Sequence, residues 1–149
     1  MALGECDDLA VLTLPVKRAG SYGFGLAHLG PNTRWSNVRC EVVALTTIDR
    51  FAATMNLGRL DFIKAEIEGW EMHLVRGGLK TIARSRPVMM LEMTNEALAR
   101  AGDDLASAYA AIAKLGYRPS KLRRDGRFER VDTPAPGDIW WAPIERDLV

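Results

Sequence analysis

Between residues 38 and 93, apolar runs of strand length alternate with segments of helical spacing, and this alternation restricts the fold more than any other feature. Buried strands are short apolar runs, whereas amphipathic helices repeat their apolar positions every three to four residues. The pattern predicts strands at 38–45, 60–68 and 88–93. Helices are predicted between them, from a cap at Thr46 or Thr47 to about Met55 and over 70–84. Strand–helix–strand order is typical of a parallel sheet, so we predict an α/β fold.

Shorter elements are predicted on both sides of this region. A strand over 9–14 ends at Pro15, and residues 18–37 are predicted to form a long loop because they are rich in Gly, Ser, Pro and Asn. On the C-terminal side we predict a helix over 105–115, an antiparallel hairpin of 117–122 with 128–131, and a last strand over 139–144. No linker divides the sequence, so residues 1–149 are expected to form one domain.

Composition excludes several classes of function. The chain has 149 residues, of which 48% are hydrophobic, with 20 Lys and Arg against 19 Asp and Glu. A dedicated binder of nucleic acid or of an anionic membrane normally carries a basic excess, so neither partner is expected. The basic stretch 121–124 is interpreted as a solvated hairpin edge rather than as a phosphate site.

The cysteines and the N-terminus indicate a cytoplasmic protein. Cys6 and Cys40 have no partner at a spacing typical of a zinc site and are interpreted as free thiols in a reducing compartment. No apolar run is long enough to span a membrane, and the first eight residues carry acids without the basic region of a secretory signal.

An unusual cluster of charge lies at the end of the predicted strand 60–68. The sequence KAEIEGWE, residues 64–71, places Lys64, Glu66 and Glu68 just before Gly69. In a doubly wound sheet, ligands bind at the carboxyl ends of the strands, where Glu92 of the next strand is also expected. Residues alternate along a strand, so Lys64, Glu66 and Glu68 are predicted to share one face.

These residues alone leave two interpretations open. Burying Lys64 and Glu66 costs free energy unless they pair or face a polar cavity. The cluster is therefore either an ion pair followed by Glu71 as a helix-terminal acid, or a ligand site built from the acids. A metal is not expected, because no ligand set is fixed by the spacing.

Several segments of the chain resemble a known family. The sequences TTIDRF, LDFIKAEIEGWEMHLVRGG and RPVMMLEM occur in the order found in the C-terminal half of FkbM-family methyltransferases, and ALGECDDLAVLTLP is similar to a segment further upstream in that family. The resemblance implies a class I S-adenosylmethionine-dependent methyltransferase with a seven-stranded, Rossmann-like sheet. Members of the family generally methylate oxygen atoms on small molecules or sugars.

The resemblance also implies roles for particular residues. It assigns catalysis to Glu66 and Glu68, with Glu66 the first choice as general base or as the group that orients the acceptor. Cofactor binding is assigned to Ala2, Leu3 and Glu66. Substrate binding is assigned to Lys64, Trp70 and Glu92. The implied cofactor is S-adenosylmethionine and the implied partner is a small-molecule methyl acceptor.

The chain departs from the family pattern at three points. Glu66 stands where the family usually has Asp, and Trp70 stands where it usually has His. The family's glycine-rich cofactor loop has only a weak counterpart in residues 20–25, since no clear strand precedes them and no full helix follows. The alternative interpretation is therefore a truncated, non-catalytic remnant that acts as an interaction or dimerisation module.

Two further expectations concern partners. If strand 60–68 has no neighbour on one side, its exposed edge invites pairing with another copy or with a partner chain. Trp140 and Trp141 could stack on a sugar or nucleotide, but adjacent strand residues face opposite sides, so one of them is expected in the core.

Overall fold

The computed structural model describes residues 1–17, 20–31, 33–146 and 148. These ranges contain nine strands and five α-helices, with a short 3-10 turn at Phe24–Leu26. The strands are β1 (Ala2–Leu3), β2 (Asp8–Pro15), β3 (His28–Leu29), β4 (Val38–Thr46), β5 (Phe62–Ala65), β6 (Val88–Met93), β7 (Tyr117–Leu122), β8 (Phe128–Arg130) and β9 (Gly137–Pro143). The helices are α1 (Ile48–Thr54), α2 (Glu71–Arg76), α3 (Leu79–Ser85), α4 (Asn95–Arg100) and α5 (Leu105–Lys114).

The strands form two sheets, so the fold is mixed α/β as predicted but not one parallel sheet. The first sheet has the order β1-β4-β2-β3 and the second the order β5-β6-β9-β7-β8. Among the strands of the described ranges, only β1 with β4 and β5 with β6 pair in parallel. β2 and β4 instead pair antiparallel over eight residues, because the long loop between them returns the chain to the same end. The predicted parallel arrangement is therefore present for β5 and β6 but not for β4, because alternation along a sequence does not determine which strands become neighbours.

The helices cover one face of the five-stranded sheet. The core contains buried residues from all five helices, among them Ile48, Met72, Ile82, Leu98 and Ile112. From the sheet it takes alternate residues that share one face: Ala65, Met89, Leu91, Met93, Tyr117, Ile139 and Trp141. Intervening residues such as Met90 and Trp140 do not belong to this core. A sheet packed by helices on one side keeps a second face available for other contacts.

The predicted helix 70–84 is divided into α2 and α3. The break lies at Gly77 and Gly78, and both glycines pack closely against other segments. A β-carbon at Gly77 would overlap the carbonyl oxygen of Gly4, and one at Gly78 would lie 3.0 Å from the Ile48 side chain. The two glycines therefore bring the N-terminal segment and α1 against the helices.

The strand predicted over 60–68 is shorter, and its end is a turn. β5 stops at Ala65, because Glu68 has φ of 56° and Gly69 has φ of 102°, neither of which continues a strand. β5 pairs with β6 on one side, and no strand in the described ranges pairs with its other side. It is therefore the edge strand that the sequence led us to expect.

The C-terminal part follows the prediction more closely. β7 and β8 form the expected antiparallel hairpin. β9 lies between β6 and β7 and is antiparallel to both, with Pro143 as its last residue. Trp141 is completely buried, as expected for one of the two tryptophans. α4 was not predicted; Thr94 caps it by accepting a hydrogen bond from the amide of Ala97.

Candidate functional site

A cleft of about 360 Å³ lies where the two sheets approach each other, beside the carboxyl end of β5. One wall belongs to the first sheet and its 3-10 turn, and the other to β5, the turn after it and α2. The lining is mostly apolar, with a few polar groups. Its residues are Ala2, Leu3, Leu12, Ala27, His28, Leu29, Lys64, Ala65, Glu66, Ile67, Trp70 and Leu74.

The cleft contains most of the site residues expected from the sequence. Ala2, Leu3, Lys64, Glu66 and Trp70 all line it, although the first two are more than sixty positions from the others. Glu68 and Glu92 are not part of its lining. Residues 20–25, the weak glycine-rich candidate, do not line the cleft either.

The N-terminal segment is fixed in the cleft by contacts on both sides of Leu3. Ala2 and Leu3 form β1, which pairs with β4 opposite Leu45 and Thr46. Glu5 then accepts a hydrogen bond of 2.7 Å from Nε of Arg76 on α2. The segment thus bridges the first sheet and the helical layer.

Lys64 and Glu66 form an ion pair at the rim of the cleft. Their side chains are 54% and 49% exposed, so the charges stay hydrated and little desolvation cost arises. The hydrogen bond to Glu66 is the main cause that raises the pKa of Lys64. The ion pair considered as one interpretation of the sequence is present, and it also faces a cavity, so the two interpretations do not exclude each other.

Trp70 supplies a flat wall. Its ring stacks on the imidazole of His73 with 3.8 Å between centroids and 16° between planes. The indole N–H is buried and has no hydrogen-bond partner among the described residues. A buried donor without a partner costs about 1–3 kcal/mol, so the ring is held by packing rather than by polar contacts.

The turn between β5 and α2 is held by charged groups. Nη2 of Arg100 on α4 donates a hydrogen bond of 2.6 Å to the carbonyl oxygen of Glu68, and the Glu68 carboxylate lies 3.5 Å from the same nitrogen. Since Glu68 has positive φ, its backbone needs this support. In this arrangement Glu68 anchors the turn.

Glu71 is the acid in this segment that lies in the core. It is completely buried and accepts a hydrogen bond of 2.9 Å from the amide of Ile67. Burial is the main cause that raises its pKa. The sequence indicated a helix-terminal acid at this position, and the structure adds that Glu71 closes the turn from inside the protein.

Glu92 lies next to Asp138 in the register of β6 and β9. Burial, followed by the negative charges of Glu68, Asp138 and Glu66, raises its pKa. Within the described ranges, no group of three or more His, Cys, Asp and Glu side chains is arranged to hold a metal ion.

Sequence reasoning missed the opposite wall of the cleft. His28 of β3 is 3% exposed, and its Nδ1 lies 3.1 Å from the carbonyl oxygen of Leu26. Because a carbonyl oxygen only accepts hydrogen bonds, Nδ1 of His28 is the donor in this hydrogen bond. The residues of β3 lie in a stretch with no helical or strand periodicity, so no pattern indicated that they line a site.

Comparisons with known proteins identify the family of the chain. The family model described as methyltransferase FkbM domain matches residues 1–119, which include every residue that lines the cleft. No curated protein and no solved structure matches the chain. Within the described residues, no helix is long and apolar enough to cross a membrane. A family model that matches most of the chain identifies its family: the chain belongs to the FkbM methyltransferase domain family.

Proposed function

We propose that this chain is an S-adenosylmethionine-dependent O-methyltransferase and that the cleft beside Glu66 receives a hydroxyl-bearing small molecule or sugar. The observation that carries the proposal is that five residues expected at the site from distant parts of the sequence line one cleft: Ala2, Leu3, Lys64, Glu66 and Trp70. A volume of about 360 Å³ falls within the range of small-molecule sites.

The donor implied by the family supplies an activated methyl group on a sulfonium sulfur. The apolar surfaces of Ala2 and Leu3 and the flat ring of Trp70 fit a planar base, and the Glu66 carboxylate fits hydroxyl groups of a ribose or of an acceptor. The lining therefore suits at least part of such a donor.

In the proposed mechanism, Glu66 orients the acceptor hydroxyl and takes its proton. A bound donor would supply the methyl group to the acceptor oxygen, and the Glu66 carboxylate would take up the proton that this oxygen loses. Lys64 pairs with the Glu66 carboxylate and fixes its direction. The apolar walls and Trp70 exclude water and align the reacting atoms, which is the main source of catalysis expected here. Glu68 and Glu92, which lie outside the cleft, are not used.

Binding is tested first with S-adenosylhomocysteine, the demethylated donor, by titration calorimetry. We expect a dissociation constant of about 1–100 µM for the chain and a loss of roughly tenfold or more for Trp70→Ala. Trp35→Ala is the matched control, because Trp35 does not line the cleft. Absence of binding by the folded chain would contradict the proposal that it works as an independent enzyme.

Catalysis is tested by mass spectrometry of hydroxyl-bearing small molecules and sugars incubated with the chain and S-adenosylmethionine. Glu66→Gln keeps the shape of the side chain but removes the base, so kcat should fall by about 10²–10⁴-fold. Glu129→Gln, on an exposed strand outside the cleft, should leave kcat unchanged. Equal activity of the two variants would exclude Glu66 as the base.

A second candidate function, a non-catalytic interaction module, is favoured by the free edge of β5. An apolar groove of about 270 Å³ follows this edge and is lined by Phe51, Leu57, Leu60 and Phe62, among others. Unpaired edges next to apolar surface recruit extended chains, either another copy or a partner. If this function is correct, hydrogen exchange at the outward amides of β5 should become slower when the partner is added. The chain should then show no binding of S-adenosylhomocysteine.

A further inference from the structure

The five-stranded sheet has a face that the helices leave uncovered, and we call it the open face. It is formed by the strand residues that alternate with those of the core: Phe62, Lys64, Val88, Met90, Glu92, Asp138, Trp140, Ala142, Arg118, Ser120, Leu122, Phe128 and Arg130. None of these residues belongs to the core cluster formed with the helices, although Met90, Ser120 and Ala142 are themselves buried.

Three aromatic rings cross the open face diagonally. Trp140 of β9 lies near the centre of the sheet, with the ring of Phe62 at 5.6 Å on one side and the ring of Phe128 at 5.3 Å on the other. Phe62 starts β5 and Phe128 starts β8, and these are the two edge strands. The aromatic stripe therefore runs from one corner of the face to the opposite corner.

Opposite charges occupy the two areas beside this stripe. Glu92 and Asp138 are register partners on β6 and β9, on the side of the carboxyl ends of β5 and β6. Arg118 of β7 pairs with Ala142 of β9 on the other side of the stripe, and Arg130 of β8 pairs with Ser120. Lys64 of the edge strand β5 also lies on the side of Glu92, but on the strands nearest to Trp140 each side of the stripe carries one sign of charge.

The positions of Glu92 and Arg118 are symmetric about Trp140. Glu92 lies one strand towards β5 and two residues towards the carboxyl end of β6, whereas Arg118 lies one strand towards β8 and two residues in the opposite direction. With strands about 4.8 Å apart and about 3.3 Å per residue, each lies roughly 8 Å from Trp140. A twofold axis along the aromatic stripe exchanges these two positions.

We propose that the open face is a homodimer interface in which the aromatic stripes of two copies pack along a twofold axis, while Glu92 of each copy meets Arg118 of the other. A twofold interface requires a patch that is complementary to itself, and this face meets that requirement through its charges. The two sheets cross steeply, in the manner of orthogonally packed sheets. Trp140, at the centre of the contact, is the kind of residue that dominates interface energies.

The electrostatics of the free chain favour this occupant. Burial and the carboxylates of Glu68, Asp138 and Glu66 raise the pKa of Glu92, and the positive charge of Lys64 offsets them only in part. Arg118 of a second copy would add a further positive charge beside Glu92. Lys64 belongs both to the open face and to the lining of the cleft, but the proposal does not depend on methyl transfer, since its contacts are made by Glu92, Arg118 and the aromatic stripe.

The test uses charge reversal and the full chain, with molecular mass measured by light scattering over a dilution series. We expect the wild type to have twice the mass of one chain. Glu92→Arg and Arg118→Glu each place like charges at both symmetry-related contacts, so each variant alone should dimerise at least about tenfold more weakly. Mixed together, the two variants should form a one-to-one heterodimer, because both of its contacts then join opposite charges.

Matched variants distinguish the interface from general effects. Lys80→Glu makes the same change of charge on exposed α3, on the helical side of the sheet, and should leave dimerisation unchanged. Asp138→Arg replaces Glu92→Arg if circular dichroism shows that the latter does not fold, because Asp138 is an exposed residue beside it. A monomeric wild type, a mixture that fails to associate, or an equal effect of Lys80→Glu would each overturn the proposal.

Discussion

Gly69 packs so closely against the carbonyl oxygen of Ala97 that a β-carbon at position 69 would overlap it. Its backbone φ of 102° is also one that residues with a β-carbon rarely adopt. The contact joins the turn after β5 to the first residues of α4. We therefore expect Gly69→Ala to lower the free energy of unfolding by about 3 kcal/mol or more, as measured by urea denaturation.

Gly102→Ala separates the two causes of this loss. Gly102 has a similar φ of 88°, but no atom lies within 4 Å of the position of its β-carbon. Only the backbone cost remains, which is about 1–2 kcal/mol. If both variants lose the same free energy, the contact between Gly69 and Ala97 is not tight.

Arg100 supports the same turn from α4. Its hydrogen bond of 2.6 Å to the carbonyl oxygen of Glu68 is partly buried, and its side chain is 18% exposed. We expect Arg100→Gln to lower the free energy of unfolding by about 1–2 kcal/mol, because a charged donor to a carbonyl is lost. Hydrogen exchange of the amides in the turn should become faster at the same time.

Arg84 provides the control for this change. It donates to the carbonyl oxygen of Leu57 at 3.1 Å, but in an exposed position. Arg84→Gln should change the free energy of unfolding by no more than about 0.5 kcal/mol. A loss as large as that of Arg100→Gln would show that burial does not matter for these bonds.

How far the sequence predicts the fold is clearest at the turn after β5. The sequence predicted a helix directly after Gly69, and α2 begins two residues later. Lys64 and Glu66 indicated either an ion pair or a cavity, and the structure contains both. These features depend on residues a few positions apart, so local spacing determines them.

Long-range pairing was not predictable in the same way. β2 and β4 pair antiparallel in a separate sheet with β1 and β3, although the sequence pattern predicted β4 in one parallel sheet with β5 and β6. His28 was missed for the same reason, since its place in the cleft depends on the pairing of β3 with β2. Such contacts are set by packing between segments far apart in the chain, which periodicity does not record.

Burial of Glu71 predicts a dependence of stability on pH. Because burial raises its pKa in the folded state, the folded protein keeps a proton over a pH range in which the unfolded chain has lost it. Its contribution to the free energy of unfolding should therefore fall as pH rises through that range. Glu71→Gln keeps an acceptor for the amide of Ile67 but cannot titrate, so this slope should disappear.

Urea denaturation at several pH values between about 4 and 8 checks this prediction. The quantity to compare is the difference in free energy of unfolding between wild type and Glu71→Gln, because other titrating groups cancel in it. Glu129→Gln, in an exposed position, should show no such difference. Parallel curves for wild type and Glu71→Gln would mean that the carboxyl group of Glu71 is not perturbed by burial.

Arg86 holds the start of β6 to the loop before β7. It donates to the carbonyl oxygens of Leu115 and Gly116 at 2.7 and 2.8 Å, and its guanidinium lies 4.6 Å from the ring centroid of Tyr117. We expect Arg86→Ala to lower the free energy of unfolding by about 3 kcal/mol, because two partly buried acceptors lose their donor.

Glu145, the ion-pair partner of Arg86, is exposed, and the pair depresses the Glu145 pKa to about 2. The contribution of Glu145 is therefore present above its unfolded pKa and lost as pH falls through about 2. Glu145→Gln should accordingly lower the melting temperature at neutral pH much less than Arg86→Ala, and equal shifts would assign the stabilisation to the surface ion pair instead of the carbonyl contacts.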